Sequence, residues 1–209
     1  MIIQCDFDGT ITTNNISVLL REKFALGEWR KIESDYLCGR LTVEESNQRQ
    51  YALIKEPRQN LVTFARDSAE LRTGFLEFVD YCLATDIRFV IVSSGLDFYI
   101  EAVLSKIGAP HLELHCARTH FSQNGITVSY TDPDGRLVTE GFKKKYLDWL
   151  KCQDNYVTYI GDGLSDLEAA RAADRVFAIN HLHRLLSTDS ISHYTFSSFH
   201  DILRQIRRR

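Results

Sequence analysis

The chain has 209 residues, 44% apolar and 25% charged, with a formal net charge of −3. That length suits one globular domain, or a core with a small inserted subdomain, and that charge excludes a nucleic-acid binder held by bulk positive potential. Five scattered cysteines without a C-x-x-C pair (Cys5, Cys38, Cys82, Cys116, Cys152) argue against a disulfide framework or structural zinc and for reduced thiols in a cytoplasmic protein.

No apolar run reaches the roughly 18–20 residues that span a bilayer. Residues 1–5 read instead as a short buried strand stopped by Asp6, and Asp6 and Asp8 interrupt what could otherwise resemble an export signal. Residues 14–72 contain several helical patterns and no clear strand, punctuated by Gly27, Gly39 and Pro57, so a helical insertion is expected there. Phe75, Phe78, Val79 and Cys82 form a helical stripe. Residues 88–92, Arg-Phe-Val-Ile-Val, are the strongest buried-strand signal and stop at Ser93-Ser94-Gly95. Between His111 and Thr139, alternating Leu112, Leu114, Ile126, Val128 and Tyr130 flank Asn124-Gly125. This predicts a further core strand and a small β excursion with a hairpin turn. A helix with Phe142, Tyr146, Leu147 and Leu150 on one face follows. Two more strands are expected over 156–160 and 175–179, with a small-residue helix from Asp166 between them. The terminal Arg207, Arg208 and Arg209 read as a solvated helix end. Apolar strands alternating with helices predict a parallel α/β sheet.

Ligands of such a sheet bind outside the carboxyl ends of its strands, and four segments there carry chemistry. In Asp6-Phe7-Asp8-Gly9-Thr10 the two acids are two residues apart and share one side of extended chain. Neighbouring carboxylates repel unless a cation lies between them, and a hard ion such as Mg²⁺ takes oxygen ligands. One acid could then attack phosphorus while the other handles the leaving-group proton; a capped turn is the plain alternative. Ser93-Ser94-Gly95 offers hydroxyls and backbone amides for a phosphate, or merely a helix cap. Gly161-Asp162-Gly163-Leu164-Ser165-Asp166 could complete a metal site or cap a helix. Lys143-Lys144-Lys145 cannot all face one way on a helix, so one could enter a site while the others are solvated.

Together these segments resemble the motifs of the haloacid dehalogenase superfamily, over nearly the whole chain. Asp6-Phe7-Asp8-Gly9-Thr10-Ile11-Thr12 is similar to its first motif, Ser93 to its second, Lys143 to its third, and Asp162 with Asp166 to its fourth. The resemblance implies a Rossmann-like, three-layer parallel core made of residues 1–13 and 73–209, with residues 14–72 as a helical cap. It implies Asp6 as nucleophile, Asp8 as general acid and base, and Mg²⁺ held by Asp6, Asp162 and the Asp8 carbonyl, with Asp166 holding a metal-bound water or bracing the lysine. Ser93, Ser94, Gly95 and Lys143 would bind the phosphoryl group. Lys144 and Lys145 remain alternatives to Lys143. The partner implied is a small phosphorylated metabolite.

Within the superfamily, two groups are similar. Gly39-Arg40-Leu41-Thr42 and Gly161-Asp162-Gly163 resemble the phosphoserine phosphatases. Residues 71–79, 95–98 and 165–170 resemble a phosphatase of methionine salvage. The first group has a cap glutamate and arginine where this chain has Asn15 and Gln50, which cannot supply a charge pair; Arg49, one residue away, is the candidate substrate contact. The second tends to a cysteine-rich segment where this chain has Asp132-Pro133-Asp134-Gly135. Rival functions are phosphoryl transfer through the same aspartyl-phosphate, as in a transferase or mutase, and non-catalytic phosphate binding. The acid at position 8 favours hydrolysis, and the presence of Asp6, Asp8, Lys143 and Asp162 disfavours a non-catalytic protein.

Overall fold

The strand-forming runs assemble into a single eight-stranded sheet. Its strands are β1 (Ile2–Cys5), β2 (Arg88–Leu96), β3 (Glu113–Ser122), β4 (Gly125–Thr131), β5 (Leu137–Val138), β6 (Val157–Gly161), β7 (Arg175–Ala178) and β8 (Tyr194–Thr195). The order across the sheet in this computed structural model is β5-β4-β3-β2-β1-β6-β7-β8. It describes residues 1–152 and 155–207; of the terminal arginines, Arg208 and Arg209 lie outside the described residues, and Arg207 lies over the Tyr81 ring. Six strands, from β3 to β8, are parallel, and β4 and β5 return antiparallel at one edge. Apolar runs buried from end to end, such as Ile2–Cys5 and Val157–Gly161, are what a parallel sheet covered on both faces requires.

Helices cover both faces, as one register pair demonstrates. Ile3 pairs with Phe89, whose ring meets Phe75 and Phe78 of α5 (Phe75–Ala84). The same cluster holds Phe199 of the C-terminal helix, here α10 (Phe199–Arg207). The next residue of β1, Gln4, faces the opposite way. Its amide donates to the Lys143 carbonyl in α7 (Phe142–Lys151) at 2.9 Å. Between them in chain order lies α6 (Asp97–Lys106), and α8 (Leu167–Ala172) and α9 (Asn180–Thr188) follow.

Between β1 and α5 stand four helices: α1 (Ile16–Phe24), α2 (Trp29–Leu37), α3 (Val43–Tyr51) and α4 (Arg58–Ser68). Thr42 caps α3 in a reciprocal box with Glu45. The two chain crossings into this helical group meet as an antiparallel bridge, Thr12 with Leu71.

Two local expectations shift. Ser93-Ser94-Gly95 is not the turn after β2 but part of it. The strand runs on to Leu96, with its pairing to β3 broken between Val92 and Leu96, and such a bulge re-aims side chains beside a site. In the β3–β4 hairpin, Ser122 pairs with Gly125, so Gln123-Asn124 and not Asn124-Gly125 form the two-residue turn. Gly125 is needed in the strand itself: φ is +120° there, and a Cβ would overlap the Ala52 carbonyl of the helical group.

No helix among the described residues is long and apolar enough to cross a membrane. The five cysteines are free, with Cys5, Cys82 and Cys116 buried.

Candidate active site

Strands β2, β1 and β6 are neighbours at the centre of the sheet, and the chain leaves β1 toward opposite sides to build them. This is the crevice where a parallel sheet binds ligands. A cavity of about 180 Å³ opens there, walled by Asp6, Asp8, Ser93, Ser94, Lys143 and Asp162 from the sheet side and by residues of α1, α2 and α3 on the other.

Asp6 follows the last residue of β1 and is buried. Its Oδ1 lies 2.7 Å from Lys143 Nζ, and burial pushes its carboxyl up to about 7 against the pull of that lysine. Lys143 also reaches Asp166 Oδ1 at 2.6 Å and Ser165 Oγ at 3.2 Å. Burial disfavours its charge, but Asp166 and Asp6 outweigh that and raise its pKa. The lysine run is thereby sorted: Lys143 enters the site, Lys144 pairs with Asp148 one turn along the helix, and Lys145 is exposed.

Asp166 is fully buried and has no spare acceptor position. Oδ1 takes Lys143 Nζ and the Tyr159 hydroxyl, each at 2.6 Å; Oδ2 takes the amides of Asp162 at 2.9 Å and Gly163 at 2.8 Å. Asp162 is pushed up to about 8, first by burial, then by Asp166 and Asp6. Carboxylate oxygens of Asp6, Asp162 and Asp166 all lie within 4.8 Å of one another. Two desolvated acids that resist ionising together fit a hard divalent cation. Since Asp166 is spent on hydrogen bonds, Asp6 and Asp162 are the side chains free to hold one.

Asp8 points elsewhere. Its Oδ1 accepts from the Ile16 amide at 2.8 Å and its Oδ2 from the Tyr99 hydroxyl, and its carboxylate is not part of the Asp6, Asp162 and Asp166 cluster. Burial raises its carboxyl above the usual range, opposed by the Tyr99 hydrogen bond and by the charge of Arg21. Ser93 Oγ accepts from the Gly95 amide at 3.1 Å. Ser94 Oγ is buried without a partner, while its carbonyl receives Asn47 at 2.9 Å and the Tyr130 hydroxyl at 2.7 Å.

Arg49 is a correction. It is exposed and does not line the cavity. Helix α3 turns Ser46, Asn47 and Gln50 inward, and Arg49 sits about 200° round the helix from Asn47. Asn15 lines the cavity, its side chain capping α1 through the Val18 amide. Gln50 is buried and donates to Glu33 at 2.7 Å.

Sequence reading missed three residues. Arg21 is a buried guanidinium on the cavity wall; Ser17 and Arg21, one turn apart on the buried side of α1 with Ile16 and Leu20, are the signal that could have found it. Arg72 binds the carbonyls of Thr10 (2.7 Å) and Gly9 and Ser197 (2.6 and 3.2 Å), clamping the loop after Asp8. Tyr99 is indistinguishable in sequence from a core aromatic of α6.

The family model for haloacid dehalogenase-like hydrolases matches residues 3–171. A 2-hydroxy-3-keto-5-methylthiopentenyl-1-phosphate phosphatase of Bacillus mycoides is 31% identical over 207 residues, 97% of this chain and 94% of the relative. Its namesake in Bacillus anthracis is 32% identical over the same shares. Among solved structures, a phosphoserine phosphatase bearing a phospho-aspartyl intermediate analogue aligns with a TM-score of 0.71 at 18% identity, covering 98% of this chain and 97% of the other. A phosphoserine phosphohydrolase-like protein of Francisella tularensis aligns at 0.69 with 20% identity and 98% of both chains. This chain belongs to the haloacid dehalogenase-like hydrolases, and the two Bacillus relatives that match 97% of it are named as phosphatases.

Proposed function

We propose that the protein hydrolyses a small-molecule phosphate monoester through an aspartyl-phosphate on Asp6, with Mg²⁺ as cofactor. The observation that carries this is the meeting of Asp6, Lys143, Asp8 and Asp162 around one cavity, with Lys143 Nζ 2.7 Å from Asp6 Oδ1. Bound Mg²⁺, held by Asp6, Asp162 and the Asp8 carbonyl, would neutralise charge on the phosphoryl oxygens.

The residues of the chain supply the rest. A carboxylate oxygen of Asp6 forms a bond to phosphorus, and the ester oxygen leaves with the Asp8 proton. Asp8, now ionised, takes a proton from water as that water attacks the aspartyl-phosphate. Inorganic phosphate departs and Asp6 is restored. Ser93, Ser94 and the Gly95 amide bind the phosphoryl oxygens, with Lys143 as the fixed cation. Asp166 keeps Lys143 in place. In this reading residues 14–72 are the cap over a core of 1–13 and 73–209, closing on the leaving group and excluding water. The identity to the Bacillus enzymes makes a methionine-salvage phosphate the first substrate to test.

The test is acid-quench mass spectrometry with a phosphate assay. Wild-type enzyme with Mg²⁺ should release phosphate and show a phosphorylated peptide at Asp6. Asp6→Asn should show neither while keeping its circular dichroism spectrum. An Asp6→Asn protein retaining more than a few per cent of turnover overturns the reading.

A further inference from the structure

Lys143 is placed by its backbone as well as by its ion pairs. It is the second residue of α7, and that helix starts without a cap of its own: Gly141 stands at the N-cap and has no side chain to offer. The first amides of a helix have no partner inside it, and a buried amide needs an acceptor. Phe142 is buried, and the acceptor for its amide comes from another element. Glu44 of α3, 1% exposed, receives it on Oε1 at 2.8 Å. The carbonyl of Lys143 itself accepts from Gln4 Nε2 at 2.9 Å, and Gln4 stands two residues before Asp6. The backbone is thus held by buried side chains both at Lys143 and one residue before it. Its ammonium meets Asp6 at 2.7 Å, Asp166 at 2.6 Å and Ser165 at 3.2 Å. Three such contacts on a fixed backbone leave the side chain little slack.

Glu44 and Asn47 are three residues apart and share one face of α3. Asn47 Nδ2 donates to the Ser94 carbonyl at 2.9 Å. That one face therefore holds both segments assigned above to the phosphoryl group, the Ser94 segment through Asn47 and the Lys143 helix through Glu44. Thr42 Oγ1 adds a bond to the Thr139 carbonyl at 2.9 Å, just before α7. Glu44 also lies in the first turn of α3, so its carboxyl group faces the positive ends of two helix dipoles. It does not line the catalytic cavity, so its part is to place a group and not to react.

We infer that Glu44 is a positioning residue for Lys143: by holding the first turn of α7 it sets where the ammonium meets Asp6 and the phosphoryl group, so that the lysine is in place only while α3 is docked on the core. The role of Lys143 rests on the phosphatase reading above.

Two measurements test it. One is kcat with an alkyl phosphate that the wild type hydrolyses. The other is the nitrogen NMR signal of the Lys143 ammonium in protein with isotope-labelled lysine, identified by its absence in Lys143→Arg. Buried and hydrogen-bonded, that ammonium should exchange its protons slowly and give a resolved signal in wild type. Glu44→Leu keeps the volume but has no acceptor. It should lower kcat about ten-fold or more, since ångström-scale misplacement can cost about 10²-fold, and the ammonium signal should broaden away. Glu44→Gln keeps an acceptor oxygen at the same reach, and Oε2, whose place its amide nitrogen takes, has no partner to lose. It should hold kcat within about three-fold of wild type and keep the signal. Glu44→Asp keeps the carboxyl group but falls one methylene short of the Phe142 amide; its kcat should lie below that of Glu44→Gln, and it serves if Glu44→Leu does not fold. Wild-type kcat and signal in a folded Leu or Asp variant, or a Gln variant no better than either, overturns the inference while leaving the phosphatase intact. Release of phosphate from no ester by the wild type, the methionine-salvage phosphate included, overturns the phosphatase reading, and the ammonium signal then still decides whether Glu44 places Lys143.

Discussion

Gly9 shows how a single residue sets the position of an acid in the cavity. Its φ is +76°, and a Cβ there would overlap Asp162 Oδ2, so both its backbone conformation and the contact exclude a side chain. Gly9→Ala should displace Asp162 and the loop clamped by Arg72, lowering kcat by about 10²-fold, since ångström-scale misplacement costs that much. Steady-state phosphate release checks it. Asp166 works through hydrogen bonds. Asp166→Ala strands Lys143, the Tyr159 hydroxyl and two backbone amides in a buried place. Breaking one side of a buried ion pair costs about 3–5 kcal/mol, so urea unfolding should show a loss of that size. A loss below ~1 kcal/mol would mean that the brace is not structural. Asp8→Asn should cost about 10²–10⁴-fold with alkyl phosphates. The loss should be smaller with an aryl phosphate, whose leaving group needs no proton, and parallel assays of the two esters decide it.

Among the elements, α3 and α10 behave differently from their neighbours. Helix α3 is fastened to the core at three points: Thr42 Oγ1 to the Thr139 carbonyl, the Phe142 amide to Glu44 Oε1, and Asn47 to Ser94 and Tyr130. Any movement of the helical group relative to the core has to leave α3 behind or break these bonds. Helix α10 depends on one carboxylate. Asp201 accepts from the amides and hydroxyls of Ser197 and Ser198, and these bonds hold its pKa well below the usual carboxylate range, the Ser197 amide first. A carboxyl depressed in the folded state contributes stability above its unfolded pKa of about 4, and that contribution fades as pH falls through the folded value. Thermal melts should therefore show wild type more stable than Asp201→Asn at pH 7, with the gap closing progressively below about pH 4. A constant gap would assign the difference to packing of α10 on Phe75 and Phe78 instead.

At the level of the whole molecule, three strand ends and a helix from residues 6 to 166 must come together before any chemistry is possible, and the cluster of Asp6, Lys143, Asp162 and Asp166 is the joint. Mg²⁺ should raise Tm in wild type by binding only the folded chain. Asp162→Asn should abolish that rise, as differential scanning calorimetry can measure. Activity should vanish in chelator, return with Mg²⁺ and return poorly with Ca²⁺, whose looser coordination does not suit an in-line attack.

The chain by itself determined the parallel α/β class, because buried strands and amphipathic helices have different periods. It also determined the positions of Asp6, Asp8, Ser93, Asp162 and Asp166, because short apolar strands ending in acids or glycine are local patterns. Local pattern could not choose among Lys143, Lys144 and Lys145; the orientation of α7 did, turning Lys143 under Asp6 and Asp166. Nor could it place Arg49 outside and Arg21 inside. An arginine on a helix looks the same in sequence whether it is solvated or buried, and only the packing of α1, α2 and α3 over the strand ends decided which of the two lines the cavity.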